Sequence, residues 1–294
     1  MKAIMQESKE FGWAKLNISL DVADKRPDGY HDMIMVMQTI SLGDTVSISL
    51  NDSGKVRAKT NLSFIPGDER NLAVKAALKF LSAIGAEGQG MSIHINKKIP
   101  VGAGMAGGST DAAAVLRALN RMYGQPLSPA GLEELSAEVG SDVPFCVRGG
   151  TCLATGRGEK LESLRDFPDC LYVVCKPEFS ISTPELFRKL DQMSLRCHPD
   201  TAGILEAVEQ GRLEQVCRRM YNVFEDVDDR RLRTVKDIKG LMLDHGAMGA
   251  MMTGTGSAVF GIFRKGAEVA ELVSKLRDAY GFCETAENVL RLNG

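Results

Sequence analysis

The stretch "IPVGAGMAGGSTDAAAVL" (99–116) decides how the chain is read. It holds four glycines, and Gly102, Gly104 and Gly107 satisfy G-x-G-x-x-G. A dinucleotide loop of that spacing needs a strand, the glycines, a helix and then an acidic residue at the end of a following strand. The strand and helix are present. The stretch after the helix, "GQPLSPAGLEELSAEVG", is a second helix with Ser128 as N-cap and Pro129 at its first position, so the acidic strand end is missing. A P-loop is excluded too, because no G-K-[ST] follows. What remains is small residues whose amides can close on an anion. Ser109, Thr110 and Asp111 then open a helix with partial positive charge at its start. On the loop alone, that phosphate cradle and a plain glycine turn capped by Ser109 or Thr110 stand level.

The rest of the chain sets bounds. Its 294 residues allow one large or two ordinary domains. With 44% apolar and 25% charged residues it can bury a sizeable core. A net charge of -2 gives no general pull toward nucleic acid or an anionic membrane. Seven cysteines without a C-x-x-C pair indicate reduced thiols packed as small hydrophobes, and neither a zinc site nor a disulfide framework. The opening "MKAIMQESKEFGWAK" has no apolar run of signal-peptide length, and no stretch approaches a membrane span. A cytoplasmic location is expected.

Outward from the loop, "KLNISLDV" (15–22) alternates and predicts a half-buried strand. "KRPDGYHD" turns at Pro27-Asp28-Gly29. "DTVSISL" and "MSIHIN" are further strands, with His94 on the solvated face of the second. "NLAVKAALKFLSAIG" is a helix, and Ala112, Val115, Leu116, Leu119 and Tyr123 form a helical stripe closed by Gly124. "SDVPFCVRGGTCLATGRGEKL" predicts a turn followed by strand pairs. "LYVVCKP" reads as a buried strand, residues 184–245 as largely helical, and "GAMMTGTGSAVFGIF" as strand, glycine turn and strand. A helix near 267–280 and a short strand finish the chain. Met33, Met35 and Met37 read as core, and His198 and His245 as surface residues. The fold class is α+β in two parts, 1–160 and 161–294, with a seam near 156–169.

Three stretches together break the tie over the loop. "AKLNISL" (14–20), "PVGAGMAGGSTDAA" (100–113) and "TGTGSAVFGIF" (253–263) resemble the three motifs of the GHMP kinases, which phosphorylate small metabolites with ATP. "KRPDGYHDM" (25–33), "GSDVPFCVRGG" (140–150) and "ISTPELF" (181–187) are similar to the members acting on a cytidylated methylerythritol in the non-mevalonate route to isoprenoids. The likeness runs in order along nearly the whole chain. The loop departs from the family's usual form at three places, with Met105 for leucine, Ala106 for glycine and Thr110 for the second serine. Alanine at 106 requires a negative φ.

The resemblance implies the roles. Lys15 and Asp142 fall at the catalytic centre; a carboxylate can take the acceptor hydroxyl's proton, and a nearby ammonium keeps it ionised. Without the likeness, Asp142 reads as a turn residue before Pro144 and Lys15 as a solvated strand end. The triphosphate would be wrapped by Pro100, Val101, Gly102, Ala103, Gly104, Met105, Ala106, Gly107, Gly108, Ser109 and Thr110. Ser109 or Thr110 would stand near Mg²⁺, with Asn71 and Lys97 beside the nucleotide; otherwise these two read as a helix N-cap and a surface lysine. Tyr30, His31 and Phe187 would hold the cytosine ring, and Asn17 and Thr183 would bond the substrate. The implied architecture is a ribosomal-protein S5 domain-2-like first part, with a left-handed β-α-β crossover, and a ferredoxin-like second part. The implied partners are ATP, Mg²⁺ and the cytidylated small molecule, with no nucleic acid and no membrane, the chain acting as monomer or homodimer. Three other readings compete: a homoserine- or mevalonate-type kinase of the same family, against which "RPDGYH" argues; a non-catalytic nucleic-acid-binding protein, since S5-like folds occur there; and a nicotinamide dehydrogenase resting on the glycine spacing alone.

Overall fold

The computed structural model describes residues 5–195 and 197–292. Its first sheet is built on a long hairpin. Strands β1 (Glu7–Lys25) and β2 (His31–Asn51) pair antiparallel, and the Pro27–Gly29 turn closes them. Strand β3 (Val56–Thr60) leads through helix α1 (Leu72–Ala83) to β4 (Gly90–Asn96), which runs parallel to β3. Three helices follow the glycine loop: α2 (Gly107–Met122), α3 (Pro129–Ala137) and α4 (Val143–Arg148). Strands β5 (Thr151–Thr155) and β6 (Lys160–Ser163) return to the sheet, whose order is β3-β4-β2-β5-β6 with β1 on β2.

The second sheet begins at β7 (Cys170–Lys176). Helices α5 (Thr183–Leu190), α6 (Thr201–Glu209), α7 (Leu213–Arg219) and α8 (Leu232–Asp244) separate it from β8 (Gly249–Met252). Strand β9 (Val259–Arg264), helix α9 (Ala270–Tyr280) and β10 (Phe282–Glu287) complete it. The spatial order β10-β7-β9-β8, all antiparallel, is the fourth-first-third-second arrangement of a ferredoxin-like sandwich. The α+β class read from the sequence stands.

Two local expectations change. "KLNISLDV" is not half-buried: Asn17 and Ser19 are as fully enclosed as Leu16 and Ile18. The reason is that Leu16 and Ile18 pack with Tyr172, Val174 and Phe260 of the second sheet, so β1 lies in the seam between the sheets. "SDVPFCVR" is not a turn but the helix α4. Pro144 sits in its first turn, where the missing N–H costs nothing. Buried Arg117 of α2 fixes this short helix by donating to the carbonyls of Cys146 and of Phe11 in β1, at 2.6 and 2.7 Å.

The glycine loop is held from both halves. Lys15 N donates to Met105 O, Ala258 N to Ala103 O, and the Thr253 hydroxyl to Gly104 O. Gly104 has φ +74°, and a Cβ there would run into the carbonyl oxygen of Thr253. Gly104→Ala should therefore lower stability by more than the ~1–3 kcal/mol of backbone strain alone, whereas Gly266→Ala, at a similar φ in open space, should cost only the strain. Urea midpoints of the two variants check this; equal losses would mean that the loop does not press on the second sheet.

Candidate active site

Two cavities meet at the glycine loop. The smaller, about 390 Å³, is lined by every residue from Pro100 to Ser109 and by Asn71, Lys97 and Asp111. The larger, about 630 Å³, is lined by Lys15, Tyr30, His31, Asp142, Thr183 and Phe187 among others. Gly104, Ala106 and Ser109 line both.

The helix behind the loop starts earlier than expected, at Gly107. Its N-cap is Ala106, not Ser109 or Thr110, and no side chain caps it. Ala106 has φ 59°, in the left-handed region, so the expected negative φ is wrong. Its carbonyl accepts the Thr110 amide at 2.9 Å, the first bond of α2. The amides of Gly107, Gly108 and Ser109 have no acceptor among the described hydrogen bonds. Unpaired amides at an uncapped helix start fit a polyphosphate.

Of the two hydroxyls expected near a metal, only Ser109 lines the cavities. Thr110 is buried and donates to Gly107 O at 2.8 Å, which removes it from the loop face and corrects its placement. No cluster of three His, Cys, Asp or Glu side chains among the described residues could hold a metal ion by itself. Ser109, with one hydroxyl on the cavity wall, could give a Mg²⁺ ion a single protein ligand, the remainder having to come from waters and phosphate oxygens.

Lys97 is no surface residue. Its ammonium is buried between Asp44 and Asp111, 2.6 Å from the latter, and also reaches Gly107 O at 3.2 Å. Asp44 accepts the amides of Lys98 and Ile99, fixing the entry to the loop. Asn71 is the N-cap the sequence predicts. It caps α1 through Ala73 N, bonds Pro66 O at 2.9 Å and lines the smaller cavity.

Lys15 and Asp142 share the larger cavity but form no ion pair. Bulges in β1 flank Lys15 and Asn17 and set their direction. The Lys15 ammonium donates to Asn17 Oδ1 at 2.6 Å. Asp142 stands at the N-cap position of α4, and its carboxylate makes no side-chain hydrogen bond among those described. Cys146, one turn on, is fully buried, and burial, then the Asp142 charge, holds its thiol well above the ordinary range. All seven cysteines are unpaired, and only Cys197 is exposed.

Asn17 is a correction. The sequence suggested a bond to substrate, but its side chain is 0% exposed and fully engaged. Its Oδ1 accepts from Lys15 and from Gly254 N at 3.0 Å, its Nδ2 donates to Met35 Sδ at 3.2 Å, and its backbone N donates to Thr253 Oγ1 at 3.1 Å. It positions Lys15 and the 253–256 turn instead.

Tyr30, His31 and Phe187 all line the larger cavity. His31 stacks on Phe187, with centroids 4.9 Å apart, and Phe187 meets Phe224 edge-on. Tyr30 is 53% exposed and carries the Arg157 guanidinium over its ring. Asp191 was not foreseen. It accepts from His31 Nε2 at 2.7 Å and pairs with Lys25, so its carboxyl is held below the usual range, chiefly by Lys25. An ionised carboxylate only accepts, which places the proton on Nε2. Thr183 Oγ1 lies 2.7 Å from Thr255 Oγ1 at the cavity wall. The sequence signal for Asp191 is its place one turn after Phe187 on α5; Arg157 and Asp44 carried none.

Burial pushes the Asp111 carboxyl up to about 8, against the pull of Lys97 and with the push of Asp44. The unfolded chain releases that proton near the ordinary value of ~3.9. Between those values the folded chain binds more protons, so stability falls as pH rises through the window. The urea midpoint should drop from pH 6 to pH 9, and Asp111→Asn should flatten that drop. A slope unchanged by the substitution would place the titration elsewhere.

Comparisons with known proteins agree with this geometry. The chain matches the GHMP kinases N terminal domain over residues 71–150 and the GHMP kinases C terminal model over 204–281. It is 44% identical over 271 residues, 92% of each chain, to the 4-diphosphocytidyl-2-C-methyl-D-erythritol kinases of Bacillus licheniformis and Bacillus subtilis. A crystal structure of 4-(cytidine 5'-diphospho)-2C-methyl-D-erythritol kinase superposes with TM-score 0.78 at 32% identity, covering 95% of this chain and 98% of that one. A homoserine kinase from Cytophaga hutchinsonii gives the same TM-score at 19% identity, over 100% of this chain and 98% of that one, a likeness of fold alone. By its motifs, its two sheets and its identity along nearly the whole length, this chain belongs to the GHMP kinases, in the family of the 4-diphosphocytidyl-2-C-methyl-D-erythritol kinases.

Proposed function

We propose that this chain transfers the γ-phosphate of ATP to the 2-hydroxyl of 4-diphosphocytidyl-2-C-methyl-D-erythritol, in the non-mevalonate route to isoprenoid precursors. The observation that carries the reading is the shared wall of the two cavities, with Lys15 and Asp142 on the acceptor side.

The nucleotide occupies the smaller cavity. Its triphosphate lies on the amides of Gly107, Gly108 and Ser109, beside the wall that Gly104 and Ala106 share with the larger cavity. Asn71 and Lys97 border the same space. The Ser109 hydroxyl would hold Mg²⁺, which would supply neutralisation of the phosphate charge. The acceptor occupies the larger cavity, its base against Tyr30, His31 and Phe187. Thr183 bonds it near the reacting end. Asp142, with no protein donor on its carboxylate, takes the proton of the attacking hydroxyl. The Lys15 ammonium, fixed by Asn17, offsets charge that develops on the transferring group. Among the described residues no helix is long and apolar enough to cross a membrane. The net charge of -2 supports a small-molecule partner rather than nucleic acid. The enzyme works in the cytoplasm as monomer or homodimer.

ATP consumption measured against the cytidylated alcohol, homoserine and mevalonate tests the substrate. Only the first should be turned over efficiently. Asp142→Asn should fold, keep its affinity for both ligands and lose kcat by about 10²–10⁴-fold. Near wild-type kcat in the folded variant would remove Asp142 from the chemistry.

A further inference from the structure

Arg157 carries chemistry that no motif assigned. It stands in "ATGRGEK" (154–160), the turn between β5 and β6, and lines the larger cavity. Its guanidinium lies 3.9 Å from the centroid of the Tyr30 ring. Its Nη2 donates to Ser141 Oγ at 3.3 Å, and Ser141 immediately precedes Asp142. No carboxylate among the described ion pairs takes this cation. Asp28 is near enough for Arg157 to help lower its carboxyl, but it is bonded by Arg26. Arginine has five N–H donors, so a single bond to Ser141 leaves four.

The other cations of this cavity are differently committed. Lys15 bonds Asn17 and Lys25 bonds Asp191. Arg188, exposed like Arg157, bonds Pro184 O in the first turn of its own helix at 3.3 Å and makes no described contact across the cavity. Arg157 alone spans the wall from the aromatic slot to the residue beside Asp142. The proposed acceptor has the matching order of parts: a base, a diphosphate, then the reacting hydroxyl. A planar guanidinium takes two phosphate oxygens at once, and the Tyr30 ring holds it ready in place.

We infer that Arg157 binds the diphosphate of the acceptor substrate. This rests on the function proposed above. The nucleotide's phosphates are a separate matter, because Arg157 does not line the smaller cavity.

The test is inhibition of the intact enzyme by cytidine, CMP and CDP, in the wild type and in Arg157→Gln and Arg157→Lys, with KM for ATP followed in parallel. In the wild type CDP should bind more tightly than cytidine. Arg157→Gln should remove about 10- to 100-fold of CDP affinity, the size of a charge-assisted contact. Cytidine affinity and KM for ATP should hold, and KM for the cytidylated substrate should rise by a similar factor at nearly constant kcat. Arg157→Lys should recover part of the loss. Two results overturn the inference. One is Arg157→Gln keeping the full advantage of CDP over cytidine. The other is an equal weakening of cytidine and CDP, which would make Arg157 only a prop for Tyr30. A wild-type enzyme that neither phosphorylates the cytidylated alcohol nor binds CDP would instead overturn the functional reading itself, and this inference with it.

Discussion

The carboxamide of Asn17 joins the first sheet to the 253–256 turn of the second at the edge of the site. Its oxygen accepts from the Lys15 ammonium and the Gly254 amide, and the backbone N–H of the same residue donates to Thr253. Buried amide groups of this kind are costly unless fully bonded, so the contact tolerates little displacement of either partner. Asn222 completes the clamp from the other side, its Nδ2 donating to the carbonyls of Met252 and Gly254 at 2.8 Å. The 253–256 turn is thereby fixed, and the glycine loop rests on it through Gly104. One seam thus sets the position of the glycine loop, the direction of the Lys15 ammonium and the wall between the cavities.

A second buried assembly sets the other side of the loop. Asp44, Lys97 and Asp111 come from β2, the end of β4 and α2, and they join where the loop becomes a helix. Two carboxylates against one ammonium leave an excess of negative charge in a dry place. The raised Asp111 carboxyl follows from that imbalance together with burial. The start of α2 beside this assembly carries no capping side chain.

Much of the fold was legible because its signals are local. Alternation in "MSIHIN", the stripe of α2, and Ser128 with Pro129 at the start of α3 all follow from residue spacing. Ala106 and α4 were misread for a different reason. The short helix behind Asp142 depends on a contact from Arg117, 29 residues away in sequence, and the left-handed φ of Ala106 at the start of α2 has no signal in the residue type itself. The same holds for the site. Lys15, Asp142 and the loop carry motifs, so their meeting was expected. Asn17 was given to the substrate because its motif does not reveal that β1 is buried on both faces. Lys97 without its acids looked like a surface lysine, since Asp44 and Asp111 are 53 and 14 residues away. Arg157 and Asp191 have no spacing signal at all beyond proximity to residues that do.

The central claim is that the glycine loop forms a common wall across which phosphate passes from one cavity to the other. A structure of the ternary complex with a non-hydrolysable ATP analogue and the cytidylated substrate tests it most directly. The account predicts the terminal phosphate on the amides of Gly107 to Ser109 and the acceptor hydroxyl about 3–3.5 Å from its phosphorus. That hydroxyl should lie within hydrogen-bond reach of Asp142, with Lys15 beside the phosphate. A hydroxyl bound away from Asp142, or phosphates lying off the start of α2, would contradict it.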